Sequence, residues 1–350
     1  MSPQWDSFGE SMADAMTREV ATFASSRFKV SKGLLAVSIS TIVLFAISVI
    51  LAPTSVSPGP LLGMLPFAGV LAIVGLGQML VVQQGGIDLS VPGAVSLAIV
   101  IVSHQPNGDD SKLLPAVFVA IAFAIGAGLT NGFLVGRLGL NPIVATLGTN
   151  ALLFGAVLGI SGGTPRVTTD LLRAVAGGVT FGVPNSVYFL LAALALVTVL
   201  VKKTVAGRRF EAIGANLATA QAIGLRVKLH QTAAYVWAQL LYCLAGILLA
   251  GITALPTAFQ GNAYLLPSVT VVVLGGTSLL GGRGFPVATV IAALFLSQLD
   301  QFVLALGVPF AVRTLVQAAA LAIGVAIYTV DWAALRLKVT KKLPPVNASG

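Results

Sequence analysis

Ten apolar runs follow one another between Gly33 and Val330, and they limit what this chain can become more than any other feature of its sequence. Seven are long: Gly33–Ala52, Leu61–Val82, Leu113–Val135, Pro142–Ile160, Val187–Val201, Thr232–Ala254 and Ala311–Val330. A helix that crosses a bilayer needs ~20 apolar residues. Three runs are shorter or interrupted: Leu89–Ser103, Pro267–Leu280 and Phe285–Leu299. Only 9% of the residues are charged and 57% are hydrophobic. A soluble domain carries about 25% charge, so no water-facing surface can be built, and disorder needs the opposite composition. The predicted fold class is an all-α polytopic membrane protein of about ten transmembrane helices, some of them broken.

The short runs lie beside Gly85-Gly86, Gly275-Gly276 and Gly281-Gly282. Non-helical backbone survives at membrane depth only where protein or a water-filled cavity satisfies its polar groups. Gly85, Gly86, Gly275 and Gly276 are therefore candidates for broken helices near a pathway. With the N-terminus in the cytoplasm and ten alternating spans, sixteen of the 20 Lys and Arg residues fall inside. Lys112, Arg166, Arg173 and Arg313 fall outside. Cytoplasmic loops carry the excess of basic residues, so both termini are predicted to be cytoplasmic. The expected organisation is a cytoplasmic tail at 1–32, a transmembrane permease domain at 33–330 and a cytoplasmic tail at 331–350. Ser11–Arg27 reads either as an amphipathic surface helix or as a frayed polar tail. No cleavable signal peptide is expected. The same distribution assigns the net charge of +9 to membrane topology and anionic lipid, not to nucleic acid. The lone Cys243 permits no internal disulfide, and His104 and His230 fall in opposite loops, so no metal site is expected.

The most informative stretch lies in a cytoplasmic loop at 202–231. It reads Gly207-Arg208-Arg209-Phe210-Glu211-Ala212-Ile213-Gly214-Ala215-Asn216, followed by Leu217-Ala218-Thr219-Ala220-Gln221-Ala222-Ile223-Gly224. Asn216 is a good N-cap, and Gly224 suits the left-handed position beyond a helix end. The spacing predicts a short helix between them, with small Ala218, Ala220 and Ala222 fitted to a partner's groove. Arg208, Arg209 and Glu211 are placed to pair with that partner's charges. The other reading is a loop resting on anionic lipid.

Three more stretches accompany it: Gly85-Gly86-Ile87-Asp88-Leu89-Ser90, Asn141-Pro142-Ile143-Val144-Ala145-Thr146-Leu147, and Val273-Leu274-Gly275-Gly276-Thr277-Ser278-Leu279-Leu280-Gly281-Gly282-Arg283-Gly284. Together, and in this order, the four resemble the ribose/simple-sugar permease family of bacterial ABC importers over about 61–328. Pro92 and Leu225 depart from the usual pattern, as does Asn141 before Pro142. The branched-chain amino-acid permeases are a related group.

The resemblance implies a type II-like ABC importer permease architecture in the bacterial inner membrane. It implies a dimer with a second copy or a paralogue, an ABC ATPase subunit on a separate polypeptide, and a periplasmic or lipid-anchored sugar-binding protein. The coupling element would be the 202–231 loop, with Arg208, Arg209, Glu211, Gly214, Asn216, Ala218, Ala220 and Gly224. No cofactor is expected on this chain, since ATP and Mg belong to the ATPase, and no Gly-x-x-x-x-Gly-Lys-Ser/Thr occurs. No catalytic residues are expected. A secondary transporter is disfavoured because the spans contain almost no ionisable residues.

Several polar residues sit within or beside the spans. Asp88 reads as a cap of the third span or as a functional carboxylate. Thr146 and Asn150 are four apart and share a helix face, so they line a neutral pathway or hydrogen-bond between helices, as do Asn131, Thr149 and Gln298. Gly126, Gly128 and Gly132 are expected at close helix contacts. Asp300 is expected to pair with Arg313. Two long outer loops, 161–186 and 255–266, serve as docking surfaces or as connectors. Gly85-Gly86-x-x-Leu89 recurs as Gly275-Gly276-x-x-Leu279, a weak echo suggesting two halves of inverted topology.

Overall fold

In a computed structural model, residues 32–309 are described, together with 311, 312, 314–316, 318, 319 and 322. The chain runs through α1 (Lys32–Leu51), α2 (Pro58–Gln83), α3 (Val91–His104), α4 (Leu113–Gly136), α5 (Pro142–Ser161) and α6 (Asp170–Gly177). It continues through α7 (Asn185–Thr198), α8 (Val205–Ala215), α9 (Leu217–Ala222), α10 (Val227–Thr253), α11 (Leu265–Leu274) and α12 (Pro286–Ala305). Among the described residues, seven helices are long and apolar enough to cross a membrane, and two shorter apolar ones accompany them. These nine coincide with nine of the ten apolar runs. The tenth run, the Ser11–Arg27 segment, Arg313 and the C-terminal tail fall wholly or largely outside the described residues. The protein is a polytopic helical membrane protein. Among the described residues, the one strand pairing is a two-residue antiparallel ladder, β1 (Val179–Thr180) with β2 (Val183–Pro184), in the 161–186 loop.

The helices form a layered bundle around α2, α3 and α10. In α2, 83% of the most apolar window is buried, against 22% in α1, so α2 is the axis and α1 the periphery. Lipid is as apolar as leucine, so spans are held together by close van der Waals packing and interhelical hydrogen bonds. α4 meets α10 through Gly128 and Gly132. A Cβ on Gly128 would stand 2.5 Å from the Val236 Cα, and one on Gly132 2.6 Å from the Thr232 Cα. Gly126, expected at the same seam, faces open space instead. α1 is held by Gln298 of α12, whose Nε2 donates to Ser48 Oγ at 3.2 Å and to Ser55 Oγ at 3.4 Å.

The 161–186 loop contains a short helix, α6. Thr169 caps α6 by accepting the Leu172 N–H at 3.2 Å, and Leu172 and Ala176 lie against Gly251 of α10. The 255–266 loop is more than a connector. Its 3₁₀ turn, Gln260–Tyr264, dips into the bundle until the Gly261 N–H donates to Ser96 Oγ at 3.1 Å. A Cβ on Gly261 would stand 2.2 Å from the Pro92 carbonyl oxygen. The echo between Gly85-Gly86 and Gly275-Gly276 does correspond to two helix breaks, α2/α3 and α11/α12. Both breaks lie at the same end of the bundle, where a Cβ on Gly281 would be 3.2 Å from the Gly85 nitrogen. Inverted halves would put them at opposite ends, so the echo is not a mark of inversion.

Candidate functional site: an elbow seated on two broken helices

α7 ends in a π-helical turn at Val199–Lys203. Thr204 then caps α8, accepting the Gly207 N–H at 2.9 Å. The buried side of α8 carries Gly207, Phe210, Ile213 and Gly214, the spacing of one helix face. Arg208 and Arg209 fall on the other side and are exposed. Asn216 ends α8 and caps α9, its Oδ1 accepting the Thr219 N–H at 2.9 Å. Gly224 closes α9 at φ +79. The Leu225 N–H donates to Ala220 O and the Gly224 N–H to Gln221 O, both at 3.0 Å. That pair of bonds is a Schellman ending, which places a glycine at the left-handed position and an apolar contact just beyond it. Leu225 supplies the contact, packing against Ile213, Ala220 and Val227.

The predicted short helix is therefore present, but its residues divide. Ala218 and Ala222 are exposed beside Leu217 and Ile223, the latter 67% exposed. Ala220 points inward and anchors the helix. Glu211 also turns inward, pairing with Lys202. Gly224→Ala would place a Cβ on a left-handed backbone at a cost of about 1–2 kcal/mol. The expected result is faster amide hydrogen exchange confined to α9.

The elbow rests on both helix breaks. Gln83 is the last residue of α2, and its carbonyl accepts the Gly282 N–H at 3.0 Å. A Cβ on Gly214 would stand 2.0 Å from that same carbonyl oxygen and 3.1 Å from the Gly282 nitrogen. A Cβ on Gly281, at φ +91, would stand 2.6 Å from the Gly214 oxygen. Gln84 Nε2 donates to the Phe210 carbonyl at 2.9 Å. Three of the four sequence motifs thus meet backbone to backbone. Gly85 turns the chain at φ +79, and Gly86 packs beside the Tyr235 hydroxyl. Gly275 caps α11 against Thr289, and Gly276 reverses the chain at φ +85.

The fourth motif, with the polar residues, gathers one step deeper, at the start of α3. The first N–H groups of a helix have no partner within it; here the Gly93 N–H, and the Leu89 and Ser90 N–H groups just before the helix, each meet a side-chain acceptor. Asp88 Oδ1 accepts the Ser90 N–H at 2.8 Å and the Ser90 hydroxyl. Thr146 Oγ1 accepts the Leu89 N–H at 2.9 Å, and Asn150 Oδ1 the Gly93 N–H at 2.8 Å. Pro92 brings no N–H to satisfy. Gln239 Nε2 donates to Ser90 Oγ at 2.7 Å and Asp88 Oδ2 at 3.3 Å, and Asn131 Nδ2 to Ser90 Oγ at 3.1 Å. The Gln78 side-chain amide lies 2.9 Å from the Tyr242 hydroxyl. Turned so that its oxygen accepts the Asp88 N–H, it also reaches the Asp88 carbonyl, each at 3.2 Å.

The cap reading of Asp88 needs one correction: Ser90 occupies the N-cap position, and Asp88, two residues earlier, accepts Ser90's own N–H. Thr146 and Asn150 both make interhelical hydrogen bonds. Gln78, Gln83, Gln84, Gln239 and Tyr242 were not singled out in the sequence. For the four glutamines the signal is an amide in or at the end of an apolar span, since a buried amide requires partners.

Residues 61–325 match the family described as branched-chain amino acid transport system / permease component. The chain is 35% identical over 241 residues to a probable ABC transporter permease protein, y4mJ, of Sinorhizobium fredii, covering 68% of this chain and 72% of that one. It is 32% identical over 302 residues to the ribose import permease protein RbsC of Escherichia coli, covering 83% of this chain and 91% of that one. It is 33% identical over 268 residues to the autoinducer 2 import system permease protein LsrC of an Enterobacter species, covering 75% and 76%. No solved structure matches. The relatives agree with the resemblance read from the motifs.

Proposed function

We propose that this chain, which belongs to the family described as branched-chain amino acid transport system / permease component, is the transmembrane subunit of an ATP-driven ABC importer for a sugar or sugar-like solute of the ribose type. It sits in the bacterial inner membrane with ten spans, both termini in the cytoplasm, and a second copy or a paralogue beside it. ATP and Mg are bound by a separate ATPase subunit, and an extracytoplasmic binding protein delivers the solute. The relatives named for ribose and autoinducer 2 import favour the sugar class over branched-chain amino acids.

One observation carries this reading: the exposed elbow α8–α9 is joined through Gly214 to the α2/α3 break and to the α11/α12 break at once. A displacement of α9 by a partner is passed through close backbone contact to two helices that are already discontinuous. Close-packed interfaces respond to small shifts by switching between discrete arrangements. Leu217, Ala218, Ala222 and Ile223 offer a small apolar knob, and Arg208 and Arg209 surround it with positive charge. The chain adds no catalysis of its own; it is a gate worked by the ATPase.

Charge reversal of Arg208 and Arg209 to Glu tests this directly. Uptake into vesicles containing the assembled importer is expected to fall at least ~10-fold, since charge-assisted contacts contribute about 1.5–3 kcal/mol each. The stimulation of ATP hydrolysis by loaded binding protein is expected to vanish, while the chain still inserts and purifies. Normal stimulation in the double variant sinks the assignment of the elbow.

A further inference from the structure

A cavity of about 790 Å³ lies between the C-terminal end of α4, the start of α10 and the end of α9. Arg137, Arg226 and Lys228 line its lower part, and Leu129 and Phe133 its upper part. No acidic side chain lines it. Among the described residues these three cations enter no ion pair, although three such pairs occur elsewhere.

The placement of Arg226 and Lys228 is electrostatically unfavourable unless an anion is present. Arg226 is the N-cap of α10 and Lys228 lies in its first turn, which contains no acidic residue. A helix N-terminus carries about half a positive charge and favours anions, not cations. Two cations stand at that end, and Arg137, at the C-terminal end of α4 where the dipole suits a cation, brings a third positive charge to the same hollow.

The hollow continues into an apolar track. Leu129 and Phe133 are about half exposed, and Ile125 and Ala122 extend the same outward face of α4. Ala122 to Phe133 covers about 16 Å at 1.5 Å per residue, close to the ~15 Å of hydrocarbon in one leaflet. A soluble protein partner covers the cations but leaves this track against polar surface. A phospholipid covers both.

We propose that this cavity is a binding site for an anionic phospholipid of the leaflet next to the elbow, its phosphate held by Arg137, Arg226 and Lys228 and an acyl chain lying along Phe133 and Leu129. Basic pockets between transmembrane helices on the cytoplasmic side suit such headgroups. The site does not depend on which solute is carried. It touches Gln221 of α9 and Leu225, so an occupied site steadies the base of the elbow.

Native mass spectrometry of the full-length chain in detergent, titrated with phosphatidylglycerol or phosphatidylcholine, tests it. Phosphatidylglycerol is expected to bind on the order of 100-fold more tightly, about fivefold for each of the three cations. Arg137→Gln/Arg226→Gln/Lys228→Gln should remove the preference, and Lys112→Gln on the opposite side should not. Leu129→Ser/Phe133→Ser should weaken phosphatidylglycerol binding while leaving the three cations in place. Soluble glycerol phosphate is the probe for a bare anion site, and it is expected to bind far more weakly than the lipid. Equal binding of the two lipids overturns the proposal. So does a preference that survives the triple variant, or glycerol phosphate binding as tightly as the lipid. Retained purification and an unchanged helical circular dichroism spectrum establish that each variant is folded. If the triple variant is not, the preference of the wild-type chain and its loss at 0.5 M salt or above, expected from screening over about 3–10 Å, decide the question.

Discussion

Gly214→Ala is expected to stop solute uptake in the assembled importer. The added Cβ would lie 2.0 Å from the Gln83 carbonyl oxygen, more than 1 Å inside ordinary contact distance. The neighbour is backbone, so no rotamer change relieves the clash. Nor can the carbonyl turn away freely, because it accepts the Gly282 N–H at 3.0 Å. Overpacking in a close-packed interior costs about 1–3 kcal/mol, occasionally more. Here that cost falls on the seam that joins the elbow to both helix breaks, so α8 lifts away from α2 or the α11/α12 break loses its bond. The expected record is loss of uptake and of ATPase stimulation by the loaded binding protein, with the chain still present in the membrane. Gly63→Ala is the control, because a Cβ there meets nothing within 4 Å. Wild-type uptake with Gly214→Ala, or an equal loss with Gly63→Ala, would show that the backbone seam does not transmit motion.

The spans were legible because lipid imposes a simple length and polarity rule, and nine of the ten apolar runs coincide with helices. The elbow was legible because Asn216 and Gly224 act through local backbone geometry. What neighbouring elements do to one another was not written locally. Nothing near Glu211 in the sequence says that Lys202, rather than a partner, takes its charge. Ala220 looks like Ala218 in the sequence, yet one packs on Ile213 and the other is exposed. Likewise, Gly214 reads as an ordinary helix residue until Gln83 and Gly282, far away in the chain, arrive at its Cα. Thr146 and Asn150 share a face by their spacing. That face meets the N–H groups of Leu89, just before α3, and Gly93, within it, and only the tertiary arrangement brings them into register.

Asp88→Ala is expected to be the most damaging change outside the elbow, and Asp88→Asn a mild one. The carboxylate is fully buried and accepts from the Ser90 N–H, the Ser90 hydroxyl and Gln239 Nε2. Removing it leaves the Ser90 N–H without an acceptor at the start of a helix buried on every side. A buried donor left unsatisfied costs about 1–3 kcal/mol. The Ser90 hydroxyl loses its acceptor and Gln239 Nε2 the longer of its two bonds, so the alanine variant should lower the melting temperature by several degrees and reduce the amount inserted. Asparagine keeps an oxygen for Ser90. Its amide nitrogen replaces the oxygen that accepts from Gln239 Nε2, and a turned Gln239 amide can meet it with Oε1, which is buried without a partner in the wild-type chain. A double-mutant cycle with Gln239→Leu separates the two roles. If Asp88 acts as the acceptor that holds the start of α3, the two substitutions are non-additive by about 0.5–3 kcal/mol. If Asp88 instead served transport directly, Asp88→Asn would abolish uptake with stability unchanged, and that result would move the carboxylate from the scaffold to the pathway.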